Sequence, residues 1–135
     1  MSALILDAGE LVAVDRDDRA AIARLRAAQQ HGLELRTNAM VVAQAWRDRF
    51  GRQVNLARLL RAADVRAVSQ RDGREAGVLQ GEAGTSDPVD ATVVLLAGPG
   101  DRILTSDPGD IARLTAAAGN RAVIIPCRSG SCGAA

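Results

Sequence analysis

Five short apolar runs punctuate the chain: ALIL (3–6), LELR (33–36), DVRAV (64–68), RILT (102–105) and AVIIP (122–126). The runs are short and largely apolar, ALIL continuously so, which is how strands buried on both faces read. Segments with apolar residues at spacings of three and four lie between them, and no hairpin turn joins neighbouring runs. Strand and helix therefore alternate. That order predicts an α/β domain of three layers, a parallel sheet with helices on both sides.

Helix starts and stops sharpen the reading. A short helix is expected near GELVAV, after Asp7. Asp17 or Asp18 caps the next, which runs to Gln30 and stops at His31-Gly32. Thr37 or Asn38 caps a helix expected to reach Phe50, with Val42 and Trp46 on one face. Residues 54–63 are amphipathic, and 70–82 form a helix loosened by Gly77. Asp87-Pro88-x-Asp90 opens a further helix, and Ser106-Asp107-Pro108 opens the last. The domain is expected to span 1–126, followed by a flexible tail over 127–135.

Composition excludes several chemistries. All 17 basic residues are Arg, there is no Tyr, and His31 is the single histidine. A Schiff-base lysine, a P-loop lysine and a two-histidine metal site are ruled out. Cys127 and Cys132 alone cannot close a zinc site. The net charge of +1 offers no global basic field for nucleic acid. No apolar run approaches the roughly 18–20 residues that cross a bilayer, and the N-terminus lacks a basic leader region, so no membrane partner and a cytoplasmic location are expected.

The acids carry what remains. Asp87, Asp90, Asp101, Asp107 and Asp110 crowd into 86–110, around the apolar runs ATVVLLA and ILT. In an open α/β sheet, sites form at the carboxyl ends of strands. Asp7 follows the first strand, Asp107 follows RILT after Ser106, and Asp87 and Asp90 open a helix at the same edge. Converged carboxylates repel unless a cation joins them, and an all-oxygen set suits Mg²⁺ or Mn²⁺. Helix capping competes with this reading at Asp87, Asp90, Asp107 and Asp110. Asp101, in a glycine turn, is expected to be solvated.

The stretches LILDAGELVAV, AMVVAQAWRD, SDPVDATVVLLA and ILTSDPGDIARL resemble the PIN-domain family, and within it the VapC-like toxin ribonucleases, over about residues 2–126. The resemblance implies a five-stranded parallel sheet and a Mg²⁺- or Mn²⁺-dependent endoribonuclease site. Asp7, Asp90 and Asp107 match its acids, and Thr105 and Ser106 match the small hydroxyl residues beside them. It also implies a homodimer and a cognate antitoxin that covers the site. One position departs: where the family usually carries Glu, this chain has Gln44, leaving Asp110 and Asp87 as reserve acids.

Two functions follow as expectations. The first is a toxin endoribonuclease that hydrolyses RNA phosphodiesters with metal-activated water, Arg47, Arg49 and Arg52 positioning phosphates. The alternative is a non-catalytic PIN module that binds RNA or a protein partner through the same cleft, Gln44 marking lost chemistry. Phosphoacceptor folds of the receiver or haloacid-dehalogenase type fit poorly, because they use a lysine. A partner surface is expected near residues 54–63, Trp46 and Phe50.

Overall fold

The computed structural model describes residues 2–127. In chain order the elements are β1 (Ala3–Leu6), α1 (Ala8–Asp15), α2 (Arg19–Gln30), β2 (Glu34–Asn38), α3 (Ala39–Ala45), α4 (Val54–Ala62), β3 (Asp64–Arg66), α5 (Gln70–Ala83), α6 (Pro88–Leu95), β4 (Arg102–Thr105), α7 (Pro108–Ala118) and β5 (Val123–Pro126). The strands form one five-stranded sheet, all parallel, in the order β3-β2-β1-β4-β5. Ala3–Leu6 is buried along its whole length, as the central strand of such a sheet must be.

The order reverses once. From β1 the chain steps outward to β2 and β3, then returns across β1 to β4 and β5. Right-handed crossovers place the helices of the two halves on opposite faces. Accordingly α1 packs on α2, α3 and α4, while α5 packs on α6 and α7. The switch point lies between β1 and β4, where Leu6 is level with Leu104. Ile5, Leu6, Leu11, Ile103, Leu104, Ile111 and Leu114 form the fully buried centre of the core. No helix among the described residues is long and apolar enough to cross a membrane.

Side-chain caps start most of the helices. Asp7, Asp18, Asn38, Asp87 and Asp107 each accept a hydrogen bond from an amide of the helix they precede. The helix over 70–83 is anchored more firmly than its glycines suggest, by a capping box. Asp72 N donates to Ser69 Oγ at 3.1 Å and Ser69 N donates to Asp72 Oδ2 at 2.9 Å.

Three expectations change. The helix expected to reach Phe50 ends at Ala45, so Trp46 does not continue the face that carries Val42. The backbone beyond it is claimed by side chains: Arg47 N and Asp48 N both donate to Gln53 Oε1, and Phe50 N and Arg52 N donate to Asp48. Such local bonds compete with helix continuation. Trp46 is half-buried, whereas Phe50 is 77% and Val54 50% exposed. The second strand runs on to Asn38, and the third stops at Arg66.

Asp101 is not solvated. It is buried, and it accepts from Ala3 N on Oδ1 and from Gly98 N on Oδ2, each at 2.8 Å. Arg36 Nη1 stands 3.5 Å from the same carboxylate. One side chain thus ties the start of β1 to the loop that feeds β4. Cys127 is also buried, and the rest of the expected tail, 128–135, lies outside the described residues.

Replacing Asp101 with alanine leaves two buried amides unpaired. Asp101→Ala should lose about 2–4 kcal/mol of stability, read as a lower urea midpoint with unchanged slope. Asp101→Asn, which keeps an acceptor, should lose less.

Candidate functional site

Pairing of β1 with β4 delivers two strand ends side by side, and the site is built there. Asp7 N donates to Leu104 O, so the backbone continues the ladder one residue past the strand. The Asp7 carboxylate then accepts Gly9 N on Oδ1 and Ser106 N on Oδ2, both at 3.0 Å. It bridges the start of α1 and the turn after β4. Asp7 is only 5% exposed. Burial raises its pKa, and the Thr105 hydroxyl with the Ser106 and Gly9 amides oppose that rise. Thr105 Oγ1 also accepts Asp107 N at 2.9 Å, which holds the turn in place.

Gly9 packs closely against the turn after β4. A Cβ there would lie 2.7 Å from Ser106 Oγ, 3.0 Å from Ser106 Cβ and 3.3 Å from Asp7 Oδ1. The glycine lets α1 begin against the β4 turn.

Asp90 enters from α6, three residues after the Asp87 cap. Val89 N donates to Asp87 Oδ1 at 2.9 Å, and Pro88 occupies the first turn. Asp90 closes no capping box. It is 8% exposed, and no hydrogen bond or ion pair among the described residues reaches its carboxylate. Burial raises its pKa to about 7, helped by the charges of Asp87, Asp107, Asp7 and Asp110 in that order. Asp107 caps α7 through Asp110 N at 3.5 Å, and Asp110 pairs with Arg113.

These side chains border a cleft of about 220 Å³ whose wall includes Asp7, Gln44, Asp87, Asp90, Ser106 and Asp107. Among the described residues, no arginine lines it. Ligand oxygens of Asp90, Asp107 and Asp110 lie within 4.8 Å of one another. Asp7 also lines the cleft but lies outside that tight group, its oxygens each already accepting one amide. Gln44 is exposed on the wall, where it brings an amide and no charge. Arg47, Arg49 and Arg52 do not reach the wall. Arg47 Nη1 donates to the carbonyls of Ala43 and Trp46, and Arg52 stacks 5.7 Å over Phe50.

Two supporting links were not evident in the sequence: the Glu10–Arg24 pair and the bond from Asn38, the expected cap, to Thr92. Glu10, fully buried behind Asp7, takes Arg24 Nη2 at 3.0 and 3.2 Å. Burial raises its pKa against the pull of Arg24. Asn38 accepts Met40 N and Val41 N at the start of α3, and its Nδ2 donates to Thr92 Oγ1 at 3.0 Å in α6. It therefore fixes the helix that bears Gln44 against the one that bears Asp90. Glu10 sits three residues beyond Asp7 on α1, but its partner is 14 residues on, a distance no periodicity reports. Comparison of the chain with protein-family models, curated proteins and solved structures finds no match.

The pKa of Asp90 sets a pH dependence. Its folded value of about 7 lies above the ordinary aspartate value of 3.8, so ionising it costs stability. The penalty is absent below about pH 4, grows as pH rises, and is complete above about pH 7. In chelator, Asp90→Asn should match the parent at pH 4 and exceed it by about 1–2 kcal/mol at pH 8, after allowance for solvent screening in the open cleft. Urea unfolding at both pH values measures this. Gly9→Ala should lower the urea midpoint by an amount worth about 1–3 kcal/mol, because the added methyl must displace the Ser106 side chain.

Proposed function

We propose that this chain is a divalent-metal-dependent endoribonuclease of the PIN-like, VapC type. The observation that carries the reading is Asp90: buried, without a hydrogen-bond partner among the described residues, and surrounded by acids on a wall to which none of those residues brings an arginine. A carboxylate so placed is stabilised by a cation more than by any protein group nearby.

The donor set fits Mg²⁺ or Mn²⁺. Among the described residues it consists of carboxylate oxygens, with neither imidazole nor thiolate on the wall. Asp90, Asp107 and Asp110 would hold the ion, and Asp7 completes the acidic wall. When bound, the ion supplies an activated water and neutralises charge on the phosphoryl group.

The chain's own residues do the rest. The amides of Gly9 and Ser106 keep Asp7 in one orientation, so no side-chain freedom is lost when substrate arrives. Gln44 and Ser106 present uncharged donors to phosphate oxygens that a further carboxylate would repel. In hydrolysis the water oxygen would form the new P–O bond as the ester P–O bond breaks; the acids of the wall would take the proton the water gives up, and solvent would protonate the leaving oxygen. This reading carries with it an RNA substrate, a cytoplasmic setting and an antitoxin-type protein that covers the cleft when activity is held off.

Gln44, and a wall on which no described residue is an arginine, favour one other reading, a module that binds RNA or a partner protein without cleaving. Incubating purified protein with RNA in Mg²⁺, Mn²⁺ or chelator separates the two. Metal-dependent cleavage, reduced about a hundredfold or more in Asp7→Asn, supports the nuclease. A folded sample that binds Mn²⁺ yet leaves structured and unstructured RNAs intact supports the module.

A further inference from the structure

We propose that Asn38 is a positioning residue: through the Thr92 hydroxyl it fixes the peptide that carries Asp90, and so sets where Asp90 stands relative to Gln44 across the cleft. The inference rests on the reading of the cleft as a metal-dependent nuclease site. It extends that reading to two side chains that do not line the cleft themselves.

The order of the bonds follows from donors and acceptors alone. Asn38 Oδ1 accepts Met40 N and Val41 N, each at 3.0 Å. Its amide nitrogen is therefore the group turned toward Thr92, and Nδ2 donates to Thr92 Oγ1 at 3.0 Å. The hydroxyl accepts there and donates its own proton to Val89 O at 2.7 Å. Asn38 and Thr92 are both buried, where bonds of this kind hold a geometry best.

Val89 O and Asp90 N belong to one peptide plane. The Thr92 hydroxyl thus grips the group from which the Asp90 side chain springs. At the other end, Met40 and Val41 lie in the first turn of α3, and Gln44 follows one turn on, on the same side as both. One side chain registers the helix that brings Gln44 to the wall against the helix that brings Asp90. Capping does not require this. Asp18 and Asp87 cap α2 and α6 through amides of the first turn. Aspartate would cap α3 as well as asparagine does, but it has no donor for Thr92.

Three variants of the full chain separate positioning from stability. Thr92→Val keeps the shape of the side chain and removes the hydroxyl. Thr92→Ser keeps the hydroxyl and removes a methyl. Asn38→Ser keeps a helix cap but is too short to reach Thr92. All three should lower the urea midpoint. Titration calorimetry with Mn²⁺ should show affinity weakened about tenfold in Thr92→Val and Asn38→Ser, and within about twofold of the parent in Thr92→Ser. RNA cleavage in saturating Mn²⁺ should show kcat lowered about tenfold in the first two with KM little changed, and most of it recovered in Thr92→Ser. Thr92→Val and Asn38→Ser combined should lose no more affinity than either alone. Affinity that follows the urea midpoint, with Thr92→Ser falling as far as Thr92→Val, means a merely structural contact and overturns the proposal. So does parental affinity in Thr92→Val. A parent that binds Mn²⁺ but cleaves no RNA sinks the nuclease reading alone, and the Mn²⁺ affinities still decide this proposal. A parent that binds no Mn²⁺ overturns both.

Discussion

Backbone pairing between β1 and β4 is the constraint on which everything else depends. It sets Leu6 level with Leu104, so both strands end at one height and the chain turns out of the sheet at Asp7 and at Ser106. Parallel strands cannot be neighbours without a long crossover. Two segments nearly a hundred residues apart therefore meet only because the order of the sheet reverses there. The cleft is the space that opens between helices leaving in opposite directions, as the switch-point rule requires.

The acids around that space are held by two opposing effects. Capping anchors them: Asp7, Asp87 and Asp107 each fix a helix start through an amide. Mutual repulsion and burial strain them, and the strain falls on Asp90, which caps nothing. Structural acids thus supply the field, and one acid without a structural partner bears its cost. Asp101, expected in solvent, is by contrast buried among partners. Two amides and Arg36 satisfy it.

Much of the element order was legible from local chemistry. Asp87-Pro88 and Asp107-Pro108 marked helix starts because proline at the first turn loses no hydrogen bond. Gly32 and Gly119 marked helix ends, both at positive φ. Trp46 was misleading: the apolar spacing from Val42 favoured a longer helix, but the side chains of Asp48 and Gln53 captured the next amides. Periodicity reports burial and is silent on side chains that compete for backbone.

For the site, sequence alone determined which acids stand at strand and helix ends, and that no lysine or second histidine could join them. Those are local facts, set by residue type and by position relative to each turn. Tertiary structure decided the rest. It decided that Asp110 groups with Asp90 and Asp107 while Asp7 is held apart by two amides, that Glu10 is neutralised by Arg24, and that Asn38 locks α3 to α6. Distance and burial depend on how crossovers pack across the sheet, and those long-range contacts leave no periodic trace in the chain.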